Sequence, residues 1–316
     1  MKDKKVVFMG TPEFSVPVLD ALIENTNVIG VVTQPDKESG RKQEVTISPV
    51  KKLAQENNIK VLQPVKIRKE YREIIDLNPD IIVTCAYGQI IPKELLDAPR
   101  LGCINVHASL LPKLRGGAPI HRAIMNGFDK TGITIMYMDE HMDTGDIIST
   151  KEINIDVDMT TGELHDRLSI LGKELLLETL PEIINGTNNR TKQIDEESTY
   201  AKLIKREDEY IDFNQNTNII HNQIRGLSPF PGAYTTMNGK IMKVYKSKLI
   251  DLNKTDIPGK IVSLSKEGIN VSTKDGIIAI TDIKVEGRKR MSAKEYLNGV
   301  SQTELIGITL GNGKCE

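Results

Sequence analysis

The sequence predicts an α/β protein with two domains, and three observations lead to this prediction. The chain has 316 residues, which is more than one typical domain. Its first part alternates apolar strand-like runs with segments of helical periodicity, which indicates a Rossmann-like, mostly parallel sheet. Its last part holds short strand-like runs between turn signals, together with one small helix, which indicates a small OB-like β-barrel.

The chain opens with the element order of a βαβ unit. Residues 5–9 are apolar and β-branched, a helical apolar period runs from Val16 to Ile23, and residues 28–33 form a second apolar run. The turn after the first run reads GTPEFS and has no G-x-G-x-x-G. A dinucleotide cofactor would therefore lack its usual phosphate cradle here.

Further apolar runs continue the predicted sheet, at residues 59–62, 80–84, 102–106, 133–138 and 147–155. Helices are predicted around them, at 49–57, 66–76, 93–96, 119–126 and 161–184. Ligands of such sheets bind outside the carboxyl ends of the strands. We therefore expect the loops after Phe8, Thr84, Val106 and Met138 to meet at one edge of the sheet.

The second half of the chain predicts a smaller domain. Residues 186–208 are polar without an apolar period, and we interpret them as a linker across the surface of the first domain. Asn238-Gly239 predicts a hairpin between 234–237 and 241–245. The other predicted elements are strands at 259–264, 269–272 and 277–285 and helices at 218–226 and 293–297. The predicted organisation is a first domain at 1–188, a linker at 189–207 and an OB-like domain at 208–316.

The composition is that of an ordinary globular protein. Hydrophobic residues make up 39% and charged residues 27%, and no uncharged apolar run is long enough to span a membrane. The N-terminus lacks the apolar core and cleavage site of a signal peptide, so we expect a cytoplasmic protein without a membrane partner. Cys85 and Cys103 lie in strand patterns without metal-ligand spacing, which predicts buried, unreactive thiols.

The charge is uneven along the chain. The formal net charge is −1, but residues 205–316 carry 17 Lys and Arg against 13 Asp and Glu. A basic second domain on an acidic first domain is a weak indication of a polyanionic partner. Ordinary surface variation explains the same numbers, so both interpretations stay open at this point.

Asn105 and His107 stand two residues apart at the end of an apolar run, so a strand can present both on one face. An amide N–H and an imidazolium N–H can both donate to one carbonyl oxygen and stabilise the charge that develops when a nucleophile attacks. A carboxylate such as Asp143, from the polar loop after residue 138, can orient the imidazole and accept a proton. The set suits direct acyl transfer between two bound molecules.

Two other interpretations of these residues stay open on spacing alone. An isolated Asn-x-His pair is more often structural than catalytic. The acidic loop could also bind a metal ion through Glu140, His141, Asp143 and Asp146, although adjacent acidic loops seldom bind a metal without further ligands.

Two strings, GCINVHASLLPKLRGGAPI and GITIMYMDEHMDTGDII, resemble the folate-dependent formyltransferases at this separation. The opening MGTPEFSVPVL, the QPDKESGR loop and the second domain extend the resemblance over essentially the entire chain. The resemblance implies the formyltransferase fold and transfer of a formyl group from 10-formyltetrahydrofolate, a co-substrate, without a metal. It also implies that the acceptor is the amino group of methionine on initiator methionyl-tRNA.

The resemblance assigns roles residue by residue. Asn105 and His107 would hold the oxyanion of the tetrahedral intermediate, His107 would protonate the leaving folate nitrogen, and Asp143 would tune His107 and position a water. The folate-contacting loop of the family matches Ser109, Leu110, Leu111 and Pro112. The pterin pocket would be lined by Tyr87, Gly88, Gln89, Ile90, Ile91, Asp139 and Glu140.

The polar segment 34–49 predicts a long exposed loop, and it matches the family's insertion that meets the tRNA acceptor end. Gly40, Arg41 and Lys42 are the predicted tRNA contacts, with Arg41 on a phosphate or an end base. The family often has Gly-Arg-Gly, and a Pro before Ser-Pro, where this chain has Lys42 and Ile47. The departure concerns the geometry of this loop and does not touch the catalytic residues.

Two other functions stay open as alternatives. One is formylation of a small amine, such as a ribonucleotide or an amino sugar, and the other is RNA binding without catalysis. A small acceptor needs no extra basic domain, which argues against the first. The aromatic content of 4% provides few base-stacking platforms, which argues against the second. We expect a monomer.

Overall fold

The structure is a computed structural model that describes residues 1–39, 44–251 and 256–311. Its strands are β1 (Lys5–Gly10), β2 (Asn27–Val32), β3 (Lys37–Ser39), β4 (Glu44–Thr46), β5 (Val61–Leu62), β6 (Ile81–Cys85), β7 (Cys103–His107), β8 (Lys130–Tyr137), β9 (Ile147–Asn154), β10 (Ala233–Met237), β11 (Lys240–Asp251), β12 (Ile261–Leu264), β13 (Ile269–Ser272), β14 (Ile277–Val285) and β15 (Met291–Ser292). Its α-helices are α1 (Val16–Asn25), α2 (Pro49–Glu56), α3 (Arg72–Asp76), α4 (Lys93–Leu96), α5 (Pro119–Met125), α6 (Thr161–Asn185), α7 (Arg206–Glu209), α8 (Thr217–Gly226), α9 (Ala293–Asn298) and α10 (Gln302–Leu305).

A seven-stranded sheet has the order β5-β2-β1-β6-β7-β8-β9. The first five of these strands are parallel neighbours, and β8 is antiparallel to β7. β6 is buried at every position and β1 at all but its first, as expected for strands covered on both faces. The mostly parallel sheet predicted from the sequence is confirmed.

Gly10 ends β1 where two strands come very close. A Cβ at this position would lie 2.8 Å from the carbonyl oxygen of Cys85 on β6 and 2.7 Å from the ring of Phe8. Only glycine therefore allows the first strand to turn beside β6. The close approach of the two strands explains why the GTPEFS turn has a glycine, and no phosphate-binding role is needed to account for it.

The expectation that the loop after Met138 starts at the carboxyl edge of the sheet is wrong. Because β8 is antiparallel to β7, Tyr137 pairs with Ile104, and the Met138 N–H donates to the carbonyl of Cys103 at 2.8 Å. The end of β8 therefore lies beside the start of β7. Apolar periodicity shows that a segment is a strand but does not encode its direction.

A second, antiparallel sheet has the order β10-β11-β14-β13-β12, with β15 paired to β14. Its hairpin turn has Asn238 at φ +50° and Gly239 at φ +75°, the left-handed conformations that a two-residue hairpin turn needs. Apolar side chains of this sheet share one core with residues of α8 and α9. Antiparallel strands with a packed apolar interior agree with the predicted small barrel.

The chain divides into two compact units. Unit 1 comprises residues 1–119, 130–153 and 165–201, and unit 2 comprises residues 120–129, 154–164 and 202–316. None of the helices in the described part of the chain is long and apolar enough to cross a membrane.

Two segments differ from the sequence prediction. The helix predicted at 66–76 is present only as α3, because the carboxylate of Glu70 accepts hydrogen bonds from the N–H groups of Val65 and Lys66 and holds a turn there. The loop predicted at 34–49 contains the antiparallel pair β3 and β4, which brings Lys37 opposite Thr46.

Cys85 and Cys103 are buried free thiols, as predicted. Burial raises the pKa of Cys85 to about 12 and also raises the pKa of Cys103. An unfolded thiol ionises near pH 8.5, so these two thiols favour the folded state below that pH, and their contribution is lost as the pH rises above it.

We expect these two thiols to resist 5,5′-dithiobis(2-nitrobenzoic acid) at pH 8, because the thiolate is the reactive form. The measurement is best made on a Cys315→Ser variant, so that only Cys85 and Cys103 report. Both should react in guanidinium chloride and neither in buffer over an hour. Rapid reaction of the folded variant would show that the thiols are accessible.

Candidate active site

Asn105 and His107 lie on β7 and are both held within the sheet. Thr84 at the end of β6 is the register partner of Asn105, and its hydroxyl donates to Asn105 Oδ1 at 2.8 Å. With its oxygen engaged in this way, the Asn105 amide directs its Nδ2 donor to the other side, where Asp143 Oδ1 lies at 3.5 Å. Thr84 was not predicted as a site residue, although its place at the end of a buried strand is a usable signal.

The imidazole of His107 is only 5% exposed and has a partner at each ring nitrogen. Nε2 lies 3.1 Å from the carbonyl oxygen of Leu114. A carbonyl can only accept, so Nε2 carries a proton. Nδ1 faces Asp143 Oδ1 at 3.6 Å. Nδ1 is therefore the ring position at which a second proton can be held or released beside a carboxylate.

Asp143 has one oxygen fixed by the backbone and one facing the two candidate donors. Its Oδ2 accepts from the Gly116 N–H at 2.8 Å, and its Oδ1 lies opposite Asn105 Nδ2 and His107 Nδ1. The residue has φ +56°, a conformation that residues other than glycine rarely adopt. The structure thus brings together the three residues that the sequence predicts to be catalytic.

Gly145 allows the Asp143 loop to return to the sheet. The carbonyl of Asp146 accepts from the Tyr137 N–H at 2.9 Å, which closes the loop between β8 and β9. A Cβ at Gly145 would lie 1.9 Å from the Tyr137 carbonyl oxygen. Within the Asp-Thr-Gly-Asp sequence, Gly145 is therefore required sterically for this tight return, and Asp143 supplies the carboxylate.

The segment before residue 202 is more than the surface linker that the sequence predicts. Arg115 and Tyr200 form a parallel bridge, in which the Arg115 N–H donates to Thr199 O at 2.9 Å and the Ala201 N–H donates to Arg115 O at 2.7 Å. The guanidinium of Arg115, 2% exposed, donates to Gln193 at 3.0 Å and to Asp195 at 2.8 Å. Spacing could not reveal these pairs, because about 80 residues separate their members.

The predicted folate loop follows directly on β7. Ser109 is fully buried, and its hydroxyl donates to the carbonyl of Lys113 at 2.7 Å. Thr134 of β8 accepts from the Leu111 N–H and donates to Ser109 O. Leu111 is buried, whereas Leu110 and Pro112 are half-buried. The loop is thus rigidly tied to β8, and its polar groups are largely satisfied internally.

The predicted pterin turn after β6 is held by hydrogen bonds to Gln34 and Ile67. The Gln89 side chain accepts from the Ile67 N–H at 3.0 Å and donates to Gln34 Oε1 at 3.2 Å, so it is already engaged. Ile91 is buried, Ile90 is 51% exposed, and Gly88 has φ +87°. Burial raises the pKa of Tyr87 to about 12, and its buried hydroxyl has no hydrogen-bond partner within the described ranges.

Asp139 and Glu140 line a cavity of about 790 Å³. Leu96 and Met138 contribute apolar wall to it, and Lys93 forms an ion pair with Glu140 at 3.4 Å. Hydrogen bonds to Asp97 and to Glu140 raise the pKa of Lys93. The structure does not bring the two halves of the predicted pterin pocket together at this cavity, since residues 87–91 do not line it.

The remaining predicted sites have simpler outcomes. Gly40, Arg41 and Lys42, the predicted tRNA contacts, lie outside the described residues. Across residues 1–39, 44–251 and 256–311, no group of three or more His, Cys, Asp or Glu side chains is arranged to hold a metal ion.

This arrangement can perform acyl transfer without a protein nucleophile. Asn105 Nδ2 and His107 Nδ1 both face Asp143 Oδ1, at 3.5 and 3.6 Å, so the two donor groups lie close together beside the carboxylate. Donors that converge in this way can stabilise a developing oxyanion. The adjacent carboxylate can take up a proton from an attacking amine, directly or through one water.

Sequence comparisons agree with this class of chemistry. Residues 4–180 match the formyl transferase family and residues 203–301 match the formyl transferase C-terminal domain, so the chain belongs to the formyl transferase family. It is 52% identical to the methionyl-tRNA formyltransferase of Geobacillus sp. (strain WCH70), covering 98% of both chains. It is 50% identical to the methionyl-tRNA formyltransferase of Bacillus subtilis (strain 168), covering 96% of this chain and 98% of the other.

A solved structure supports the family assignment at lower identity. The N-formyltransferase from Helicobacter canadensis, in complex with folinic acid and dTDP-3-aminofucose, is 25% identical with a TM-score of 0.66. The match covers 88% of this chain and 98% of that chain. The fold and both domains of the chain are therefore those of a formyl-transferring enzyme.

Proposed function

We propose that this protein transfers the formyl group of 10-formyltetrahydrofolate to the free amino group of methionine on initiator methionyl-tRNA, giving N-formylmethionyl-tRNA for translation initiation. The observation that supports this most directly is the convergence of Asn105, His107 and Asp143. It occurs in a chain that is 52% identical over nearly its full length to an enzyme named methionyl-tRNA formyltransferase.

In the proposed reaction, Asn105 and His107 stabilise charge on the formyl oxygen. Asn105 Nδ2 and the protonated Nδ1 of His107 donate to this oxygen while the methionine nitrogen attacks the formyl carbon. Each donor of this kind contributes roughly 3–4 kcal/mol of transition-state stabilisation. The contact of Thr84 with Asn105 and that of Leu114 with His107 support the two donors in these orientations.

His107 and Asp143 then move the protons. Asp143 accepts a proton from the attacking amine, through a water, and His107 Nδ1 gives its proton to the leaving folate nitrogen. After the reaction Asp143 carries an extra proton and His107 Nδ1 has lost one. The 3.6 Å separation of His107 Nδ1 and Asp143 Oδ1 allows this proton to pass from Asp143 back to His107. No metal ion is required by this scheme.

We propose that the folate co-substrate binds beside Asn105 and His107, with Asp139 and Glu140 contributing to its pterin site. The two carboxylates can accept hydrogen bonds from the N–H groups of a pterin. In the proposal, residues 109–112 contact the folate near His107, and residues 87–91 contribute to the pterin site.

The acceptor proposal assigns the tRNA to the basic part of the chain. Residues 208–316 would bind tRNA through the OB-like domain, residues 1–188 would catalyse the reaction, and 189–207 would link the two. Gly40, Arg41 and Lys42 would meet the acceptor end. Lys and Arg side chains on such a surface bind phosphates with little regard to sequence, which suits a tRNA. We propose that the protein acts as a monomer.

The proposed function is tested by an acceptor panel. The purified protein is incubated with 10-formyltetrahydrofolate and, in separate reactions, initiator methionyl-tRNA, uncharged initiator tRNA, free methionine and an amino-sugar nucleotide. We expect a formylated product with charged initiator tRNA alone. Uncharged tRNA has no amino acid to formylate and should act only as a competitive inhibitor. Formylation of the sugar nucleotide with the charged tRNA left unmodified would overturn the proposal.

A further inference from the structure

Two residues in the left-handed backbone conformation contact His107 from opposite sides. Leu114, with φ +59°, presents its carbonyl to Nε2, and Asp143, with φ +56°, presents its carboxylate to Nδ1. Residues with a Cβ adopt this conformation rarely, and they keep it only where the surroundings hold them. The orientation of His107 therefore depends on whatever holds these two backbone positions.

Thr199 holds the Leu114 position. Its Oγ1 accepts a hydrogen bond from the Leu114 N–H at 2.9 Å, and its carbonyl accepts from the following N–H, that of Arg115. The hydroxyl thus fixes the peptide unit on one side of Leu114 and the carbonyl fixes the unit on the other side. Between them they direct the Leu114 carbonyl towards His107.

Gln193 holds the Asp143 position. Its Nε2 donates to the carbonyl of Asp143 at 2.9 Å and to the carbonyl of Gly145 at 2.8 Å. Its Oε1 accepts from Arg115 Nε at 3.0 Å. A single half-buried amide therefore ties the loop that carries the carboxylate to the loop that carries Leu114.

We propose that Gln193 and Thr199 are positioning residues for formyl transfer, which act by holding the two partners of His107. The proposal rests on the proposed function, and it adds to that function two residues from the segment predicted to be only a linker. Both act through backbone groups of Leu114, Asp143 and Gly145, so their loss should change the geometry of the donors and leave substrate binding nearly intact. A misplacement of about 1 Å at a reacting group can lower the rate about 100-fold.

The first test compares matched variants at position 199. Thr199→Val keeps the shape of the side chain and removes the acceptor for the Leu114 N–H, whereas Thr199→Ser keeps that acceptor. We expect Thr199→Val to lower kcat about 10-fold or more, with both KM values changed less than about threefold, and Thr199→Ser to stay within about twofold of wild type. Equal kcat for Thr199→Val and wild type would overturn the role of Thr199.

The second test concerns position 193. Gln193→Glu keeps the size of the side chain and the acceptor for Arg115, but it replaces the donor that faces two carbonyl groups. We expect it to lower kcat at least as much as Gln193→Ala. Glu196→Ala, an exposed position in the same segment, is the control and should behave as wild type. A rise in KM with unchanged kcat for the Gln193 variants would indicate a binding role and overturn the proposal.

A double-mutant cycle separates positioning from a general structural effect. If Gln193 acts through Asp143, then Gln193→Ala should change kcat less than about threefold in an Asp143→Ala background. The proposal would be contradicted if the fold-loss in kcat of the double variant equalled the product of the fold-losses of the two single variants. Wild-type protein without formyl transfer would refute the proposed function itself, whereas an active wild type with unaffected variants would refute the positioning role alone.

Discussion

The His107→Ala variant is expected to lose about 10²–10⁴-fold in kcat for formyl transfer, the usual range for loss of a general acid–base group. His107 supplies both a donor to the formyl oxygen and a proton to the leaving nitrogen in the proposed reaction. The substitution should leave the binding of both substrates close to wild type, because the two ring nitrogens of His107 contact Leu114 and Asp143 of the protein itself. Steady-state kcat and KM with charged initiator tRNA provide the measurement.

Three further variants sharpen this result. Asn105→Ala removes the Nδ2 donor together with the Oδ1 acceptor of the Thr84 hydroxyl, and it should cost about 10²–10³-fold in kcat, as for loss of a single oxyanion donor. Asp143→Asn keeps the shape of the side chain but not its charge, so proton uptake should fail while folding is retained. His165→Ala, whose ring packs on Phe14, is the matched control. If His107→Ala kept full activity, His107 would have no part in the reaction.

The Gly145→Ala variant is expected to lose about 10²-fold or more in kcat without any change to a chemically active group. Its Cβ would lie 1.9 Å from the carbonyl oxygen of Tyr137, which is a rigid backbone atom of β8. The loop must therefore move, and it carries the Asp143 carboxylate with it. The same displacement breaks the hydrogen bond from Gln193 to Gly145.

Gly299→Ala is a suitable control for this substitution, because the nearest atom to its Cβ would be at the ordinary contact distance of 3.7 Å. Both variants should be compared by kcat and by thermal unfolding. A Gly145→Ala protein with wild-type kcat would show that the position of the Asp143 loop is not important for the reaction.

The sequence is a good guide to the strands that carry the site. The apolar run before Asn105 predicts β7, and the period of two places Asn105 and His107 on one face of it. The Asn-Gly pair predicts the β10–β11 hairpin because only certain residues tolerate its backbone conformation. These features depend on local steric rules and on burial, which neighbouring residues in the chain encode.

The parts that the sequence did not reveal depend on distant contacts. The direction of β8 decides where the loop after Met138 begins, and the spacing of apolar residues is the same for both directions. The role of Gln193 depends on a loop 48–50 positions away, and polar composition alone made its segment look like a plain linker. Arg115 is buried because two side chains from that segment accept its hydrogen bonds, which no local pattern predicts.

The central claim is that the formyl group passes directly between two bound substrates, with Asn105, His107 and Asp143 stabilising the transfer. A rapid-quench experiment with a formyl donor labelled in its formyl carbon, excess enzyme and initiator methionyl-tRNA tests this claim most directly. The account predicts that label moves from the donor to the methionine nitrogen at one rate, with none bound to protein at any time, and that His107→Ala slows this single step. Label on the protein that forms and decays at the rate of transfer would contradict it.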